Sequence, residues 1–149
     1  MRNYTTQMDA ARKGIVTPEI EAVAKKEHMT SEALMKHTCL NPEGVGSMLR
    51  TKINVNLGVS RDCKDYDIEM QKVMSAVNLG AEAIMDLSSH GNTQPFRRKL
   101  TSECPAMIGT VPVYDSVIHY QRDLATLTAR DFIDVIRMHA EDGVDFVTL

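Results

Sequence analysis

The sequence predicts an α/β protein in which N-terminal helices lead into about four βα units. Two observations carry this. No β pattern appears before residue 50, whereas beyond it short apolar stretches alternate with helical patterns, which indicates a parallel sheet. The candidate strands begin roughly 25 to 40 residues apart, enough for a crossover between parallel neighbours.

The elements follow in order. Thr17-Pro18 opens a helix, with Thr as cap and Pro at its first position, and Ile20, Val23 and Ala24 fall on one face. Thr30 caps a second short helix through residues 31–35. A loop spans Cys39 to Gly46. Ile53, Val55 and Leu57 then alternate with Asn54 and Asn56, the pattern of a strand. Met70, Val73, Met74 and Val77 recur at helical spacing, and Gly80 closes that helix. Residues 83–87 form a short buried strand, residues 95–100 a basic helix, and residues 106–111 a third strand. Thr128 to Asp131 is a capping box; it opens a helix carrying Phe132, Val135, Ile136 and Ala140, ended by Gly143. Residues 144–149 complete the series as a strand.

Two folds fit: a doubly wound sheet, or part of a (β/α)₈ TIM-type barrel. Four strands are about half a barrel and leave two open edges. A last strand without a following helix leaves one sheet face uncovered, so a fragment, or a half that needs a partner, is expected. The organisation expected is a helical segment over residues 1–48 and the first half of a barrel over residues 49–149.

Of the 149 residues, 43% are hydrophobic and 25% charged, an ordinary globular balance, and the net charge is −3. That charge argues against nucleic acid or an anionic membrane as partner. No apolar stretch of about 18 residues occurs, and the first residues lack the apolar core of a signal peptide, so a cytoplasmic protein is expected. The three cysteines, Cys39, Cys63 and Cys104, make no C-x-x-C, and reduced structural thiols are the plain reading.

Ligands of parallel βα folds sit at the C-terminal ends of the strands. This rule selects Asn54 and Asn56; Met85 and Asp86 with Ser88 and Ser89; and Thr110 and Tyr114. Asn is disfavoured in strands, and residues at i and i+2 share a face, so the two Asn suit a polar inner face. They suit equally a structural role bonded to neighbouring backbone. Asp86, Ser88 and Ser89 could bind a polar or phosphorylated ligand, or cap the next helix. Tyr114 could meet a ring or sit at the rim of the core, and Met85 is core by default. His139 reads as packed, and the five histidines form no metal-spaced pair.

Five segments, in order, resemble the phosphomethylpyrimidine synthase family of radical S-adenosylmethionine enzymes. They are TQMDAARKGIVTPE (6–19), LRTKINVNLG (49–58), AIMDLS (83–88), IGTVPVY (108–114) and EDGVDF (141–146). The resemblance implies a (β/α)₈ barrel. It implies a lyase of thiamine biosynthesis that rearranges 5-aminoimidazole ribotide into 4-amino-5-hydroxymethyl-2-methylpyrimidine phosphate, releasing formate and carbon monoxide. It implies that Asn56, Met85 and Tyr114 contact the ribotide, and that the next substrate ligand, a His, falls immediately after Leu149. The family's [4Fe–4S] cluster, S-adenosylmethionine and zinc are implied for the full-length enzyme, as is a homodimer. The cluster's C-x-x-C-x-x-x-x-C loop and the zinc histidines have no counterpart in this chain. An I-P-A-N-x-N-H-like segment of the family is also missing between the early helices and the first strand, where Met35-Lys36-His37 runs almost directly into Leu40 to Glu43. An incomplete synthase, inactive by itself, is therefore expected. The alternatives are a hydroxybenzimidazole synthase of anaerobic cobamide assembly, which uses the same substrate, and a non-catalytic half-barrel that binds a ligand.

Overall fold

The computed structural model describes residues 3–36 and 43–149. Cys39, and the junction where the family segment is missing, lie outside the described residues. The chain forms two compact units, Met1–Lys52 and Ile53–Leu149.

The first unit holds α1 (Gln7–Arg12), α2 (Pro18–Lys26) and α3 (Ser31–Lys36). Each begins on a threonine whose hydroxyl accepts an orphan backbone N–H: Thr6 from Asp9, Thr17 from Ile20 and Thr30 from Ala33. The expected stripe of Ile20, Val23 and Ala24 is buried, together with Ala11 and Leu34. Glu27 is also buried. Burial works against its charge, but Lys52 and the Arg50 amide outweigh it and hold the carboxyl below its ordinary value.

The second unit is a parallel sheet with the order β1-β2-β3-β4: Asn54–Leu57, Ala83–Asp86, Met107–Thr110 and Phe146–Val147. Between the strands run α4 (Tyr66–Asn78), α5 (Gln94–Glu103), α6 (Pro112–Tyr120) and α7 (Ala129–Glu141). Sequential order never reverses. With crossovers of one hand, this sets all the helices on one face, and the switch of direction that a doubly wound sheet needs is absent among these strands. The core agrees. Ile84 and Ile108 pack with Met70, Val73, Phe96 and Leu100 on that face, with Val55 and Leu57 beside them. Among the described residues no helix is long and apolar enough to cross a membrane.

Three local differences from expectation occur. The first strand starts at Asn54, with Ile53 before it 58% exposed. Met74 lies off the buried stripe of α4 and is 38% exposed. Residues 112–120, where the sequence pattern predicts no element, form α6, because Pro112 takes the first helical position, where its missing N–H costs nothing. The α7 capping box forms as expected: Asp131 accepts from the Thr128 amide at 2.8 Å, and Thr128 accepts in return.

Candidate functional site at the strand ends

The sheet register places the expected contacts. Asn56 pairs with Met85, Met85 with Gly109, and Gly109 with Phe146. Paired residues of parallel strands share a face, so these four form one row across the sheet. At a spacing of about 4.8 Å per strand the row is roughly 14 Å long. It lies on the face opposite the helices, since Val55, Ile84 and Ile108, the alternate residues, supply the core. Met85, core by default in the sequence, therefore faces away from the helix-side core, although only 8% of it is exposed.

Asn56 is exposed, and the Asn54 amide approaches its Oδ1 at 3.5 Å. The two side chains share a face as expected, but they sit in the open rather than buried. Tyr114 is 44% exposed in the first turn of α6, immediately beyond the end of β3. Asn56, Met85 and Tyr114 thus all stand at the C-terminal end of the sheet, with Asn56 and Met85 side by side.

Of the remaining strand-end candidates Ser89 is exposed, whereas Asp86, Ser88 and Thr110 are engaged inside the protein. Asp86 points to the helix side, where its Oδ1 accepts from the Ser88 amide at 2.9 Å. Burial pushes the Asp86 carboxyl above its ordinary range, against the pull of the Ser88 hydrogen bonds. Ser88 Oγ accepts from the Val59 amide at 2.9 Å, which ties together the loops after β1 and β2. Gly58 makes that junction possible: its φ is +148°, and a Cβ there would meet Ser88 N at 2.5 Å. Thr110, paired in register with Asp86, lies 2.8 Å from His139 Nδ1.

His139 belongs to a buried polar network that joins α5, α6 and α7. Its Nε2 stands 2.8 Å from Asp115 Oδ2, off the line of a directed hydrogen bond. Arg97, 1% exposed, spans the network. It pairs with Asp115 through one terminal nitrogen, and with Asp142 through Nε and Nη2, each at 2.9 Å. Thr93 donates to Asp115 at 2.6 Å. Burial opposes the charge on Asp115 and Asp142. His139, Thr93 and Arg97 at Asp115, and Arg98, Arg97 and Gln94 at Asp142, nevertheless hold both carboxyls below their usual value. This network locks the helices and does not reach the row of Asn56 and Met85. Arg97 and Asp142 lie 45 residues apart in sequence and Gln94 and Asp142 lie 48 apart, and no local signal links them.

Among the described residues no group of three or more His, Cys, Asp or Glu is placed to hold a metal ion. Cys63 and Cys104 are single free thiols, both with raised pKa. Glu69 accepts from the Cys63 thiol, and burial raises Cys104. Neither suits an iron–sulfur cluster, and the described residues do not fit zinc.

Such an arrangement defines a class: a parallel βα protein with its helices on one face of the sheet, a fold whose ligands sit at the C-terminal ends of the strands. The chain belongs to the radical SAM ThiC family, whose match runs over residues 6–149. It is 55% identical over 160 residues to a phosphomethylpyrimidine synthase of Alkaliphilus oremlandii, covering 98% of this chain and 37% of that protein. It is 54% identical to one of Alkaliphilus metalliredigens and 52% identical to one of Clostridium botulinum strain Okra, covering 99% of this chain and 37% of each relative. The chain thus spans little more than a third of the length of these relatives. The matched stretch of 160 residues also exceeds the 149 of this chain, so the relative carries additional residues within it.

Proposed function

We propose that this chain supplies the first four βα units of a (β/α)₈ barrel in a phosphomethylpyrimidine synthase. The assembled enzyme is a radical SAM lyase of thiamine biosynthesis that converts 5-aminoimidazole ribotide into the hydroxymethylpyrimidine phosphate. The observation that carries this reading is the in-register pair Asn56–Met85 at the strand ends, with Tyr114 just beyond the neighbouring strand. In this role Asn56 hydrogen-bonds the ribotide, Met85 lines its pocket and Tyr114 contacts it from the rim.

Barrel closure is supported by a groove of about 590 Å³ beside the edge strand β1, lined by Ile53, Val55, Ile68, Ala76 and Leu79. Leu79 is 90% exposed there, an apolar surface that further βα units would cover. The cluster, S-adenosylmethionine and zinc would be held by family residues outside these 149, so the chain by itself does not turn over. The assembled enzyme is cytoplasmic and homodimeric on this reading, with residues 1–48 as a helical lead and residues 49–149 as barrel. The names of the relatives favour the pyrimidine product.

The test is anaerobic reconstitution of this chain with the remaining portion of the Alkaliphilus oremlandii enzyme, iron and sulfide, followed by S-adenosylmethionine and 5-aminoimidazole ribotide. Pyrimidine phosphate is the expected product. A stably associated, cluster-loaded pair that leaves the ribotide unchanged would overturn the proposal.

A further inference from the structure

The row that begins at Asn56 ends at Phe146, which the resemblance does not assign to the substrate. A Cβ built on Gly109 would collide with Cζ and Cε2 of the Phe146 ring. The tip of that ring therefore occupies the space over β3 that any other residue at 109 would fill. A glycine inside a strand marks such a close approach. Gly109 is also the register partner of Met85, so the ring is brought over the position next to Met85.

Phe146 is held there from both sides. The Asp145 amide donates to Ile108 O at 2.9 Å, and the Asp145 carboxylate accepts from the Ile108 amide at 2.8 Å. The Thr148 amide donates to Thr110 O at 2.9 Å. The ring is only partly buried and lies outside the helix-side core, so some of its surface is open on the same face as Asn56.

We infer that Phe146, seated over Gly109, is a specificity-determining wall of this face, which meets the planar nitrogen heterocycle of the ligand while Asn56 holds its polar edge. The inference rests on the proposed function and deepens it. None of the four residues in the row is charged, so the row suits a flat ring better than a phosphate. An aromatic ring and a thioether are polarizable partners for such a ring, and an amide supplies directed hydrogen bonds.

Calorimetric titration with 5-aminoimidazole ribotide and with ribose 5-phosphate tests this through the ratio of the two affinities. Phe146→Leu is expected to lower the preference for the ribotide by about tenfold, the upper range of an aromatic contact, leaving ribose 5-phosphate unchanged. Phe146→Tyr retains the preference. Gly109→Ala, which displaces the ring, lowers it as Phe146→Leu does. A folded Phe146→Leu protein with the wild-type preference would overturn the inference and leave the proposed function standing. Wild-type protein that does not distinguish the two ligands would overturn both.

Discussion

Arg97 gives the sharpest test of what holds the second unit together. Its guanidinium is 1% exposed and bridges two carboxylates, Asp115 on α6 and Asp142 at the end of α7. Removing one member of a buried ion pair costs about 3–5 kcal/mol, because the charge left behind is uncompensated. Here Asp142 keeps Arg98 and Gln94, and Asp115 keeps Thr93 and His139. The loss in Arg97→Ala should therefore sit near the lower bound, about 3 kcal/mol. With a urea dependence of about 1–3 kcal/mol/M, the midpoint falls by about 1–3 M. Arg98→Ala is the control. It also removes a partner of Asp142, but its side chain is 65% exposed, so the loss should stay below about 1 kcal/mol. The deficit also depends on pH. Both carboxyls are held below their ordinary 3.8, so their contribution is present above that value and is lost as pH falls through the lowered pKa values. Without Arg97 they are held down less strongly, so the difference from wild type is constant above 3.8 and shrinks as pH falls below it. Urea unfolding followed by far-ultraviolet circular dichroism measures both effects. An Arg97→Ala loss no greater than that of Arg98→Ala, or one independent of pH, would refute the reasoning.

Other consequences are open to direct measurement. Asp86 is buried with a raised pKa, so its contribution is largest below about pH 4 and is lost as pH rises through that raised value. Asp86→Asn should flatten the stability profile from pH 4 to 7; an unchanged slope would count against this. Gly58→Ala drives a Cβ into the Ser88 amide and should cost more than about 2 kcal/mol; a midpoint within error of wild type would show that the two loops do not meet there. The apolar groove beside β1 and the open sheet edges should make the chain self-associate, seen as a sedimentation coefficient that rises with concentration. A compact monomer throughout would argue against an uncovered edge.

How much of this the sequence discloses depends on how local each signal is. The capping box of α7, the Thr17-Pro18 start of α2 and the alternation around Asn54 and Asn56 each lie within a few residues, and the structure contains all three. Helix α6 escaped because its cap position is Val111, which offers no side-chain acceptor, and the Pro after it reads equally as a turn. The facing of Met85 escaped because all four residues of β2 are buried, which erases the alternation that would show its side. The Arg97 network escaped because the pairs of Arg97 with Asp115 and Asp142 cross 18 and 45 residues and depend on how three helices pack. Gly109 did carry a signal: a glycine inside an apolar strand asks what lies against it, and the answer, Phe146, needed the register of β4.

The central claim is that the ligand sits on the face of Asn56 and Met85, away from the helices. Methionine methyl resonances report this directly, since Met85 lies on that face and Met70 lies in the helix-side core. With the chain labelled at methionine methyls, and Met85 assigned through Met85→Leu, 5-aminoimidazole ribotide should shift the Met85 resonance and leave Met70 in place. A shift at Met70 with Met85 unmoved, or no shift at either at saturating ribotide, would contradict the account.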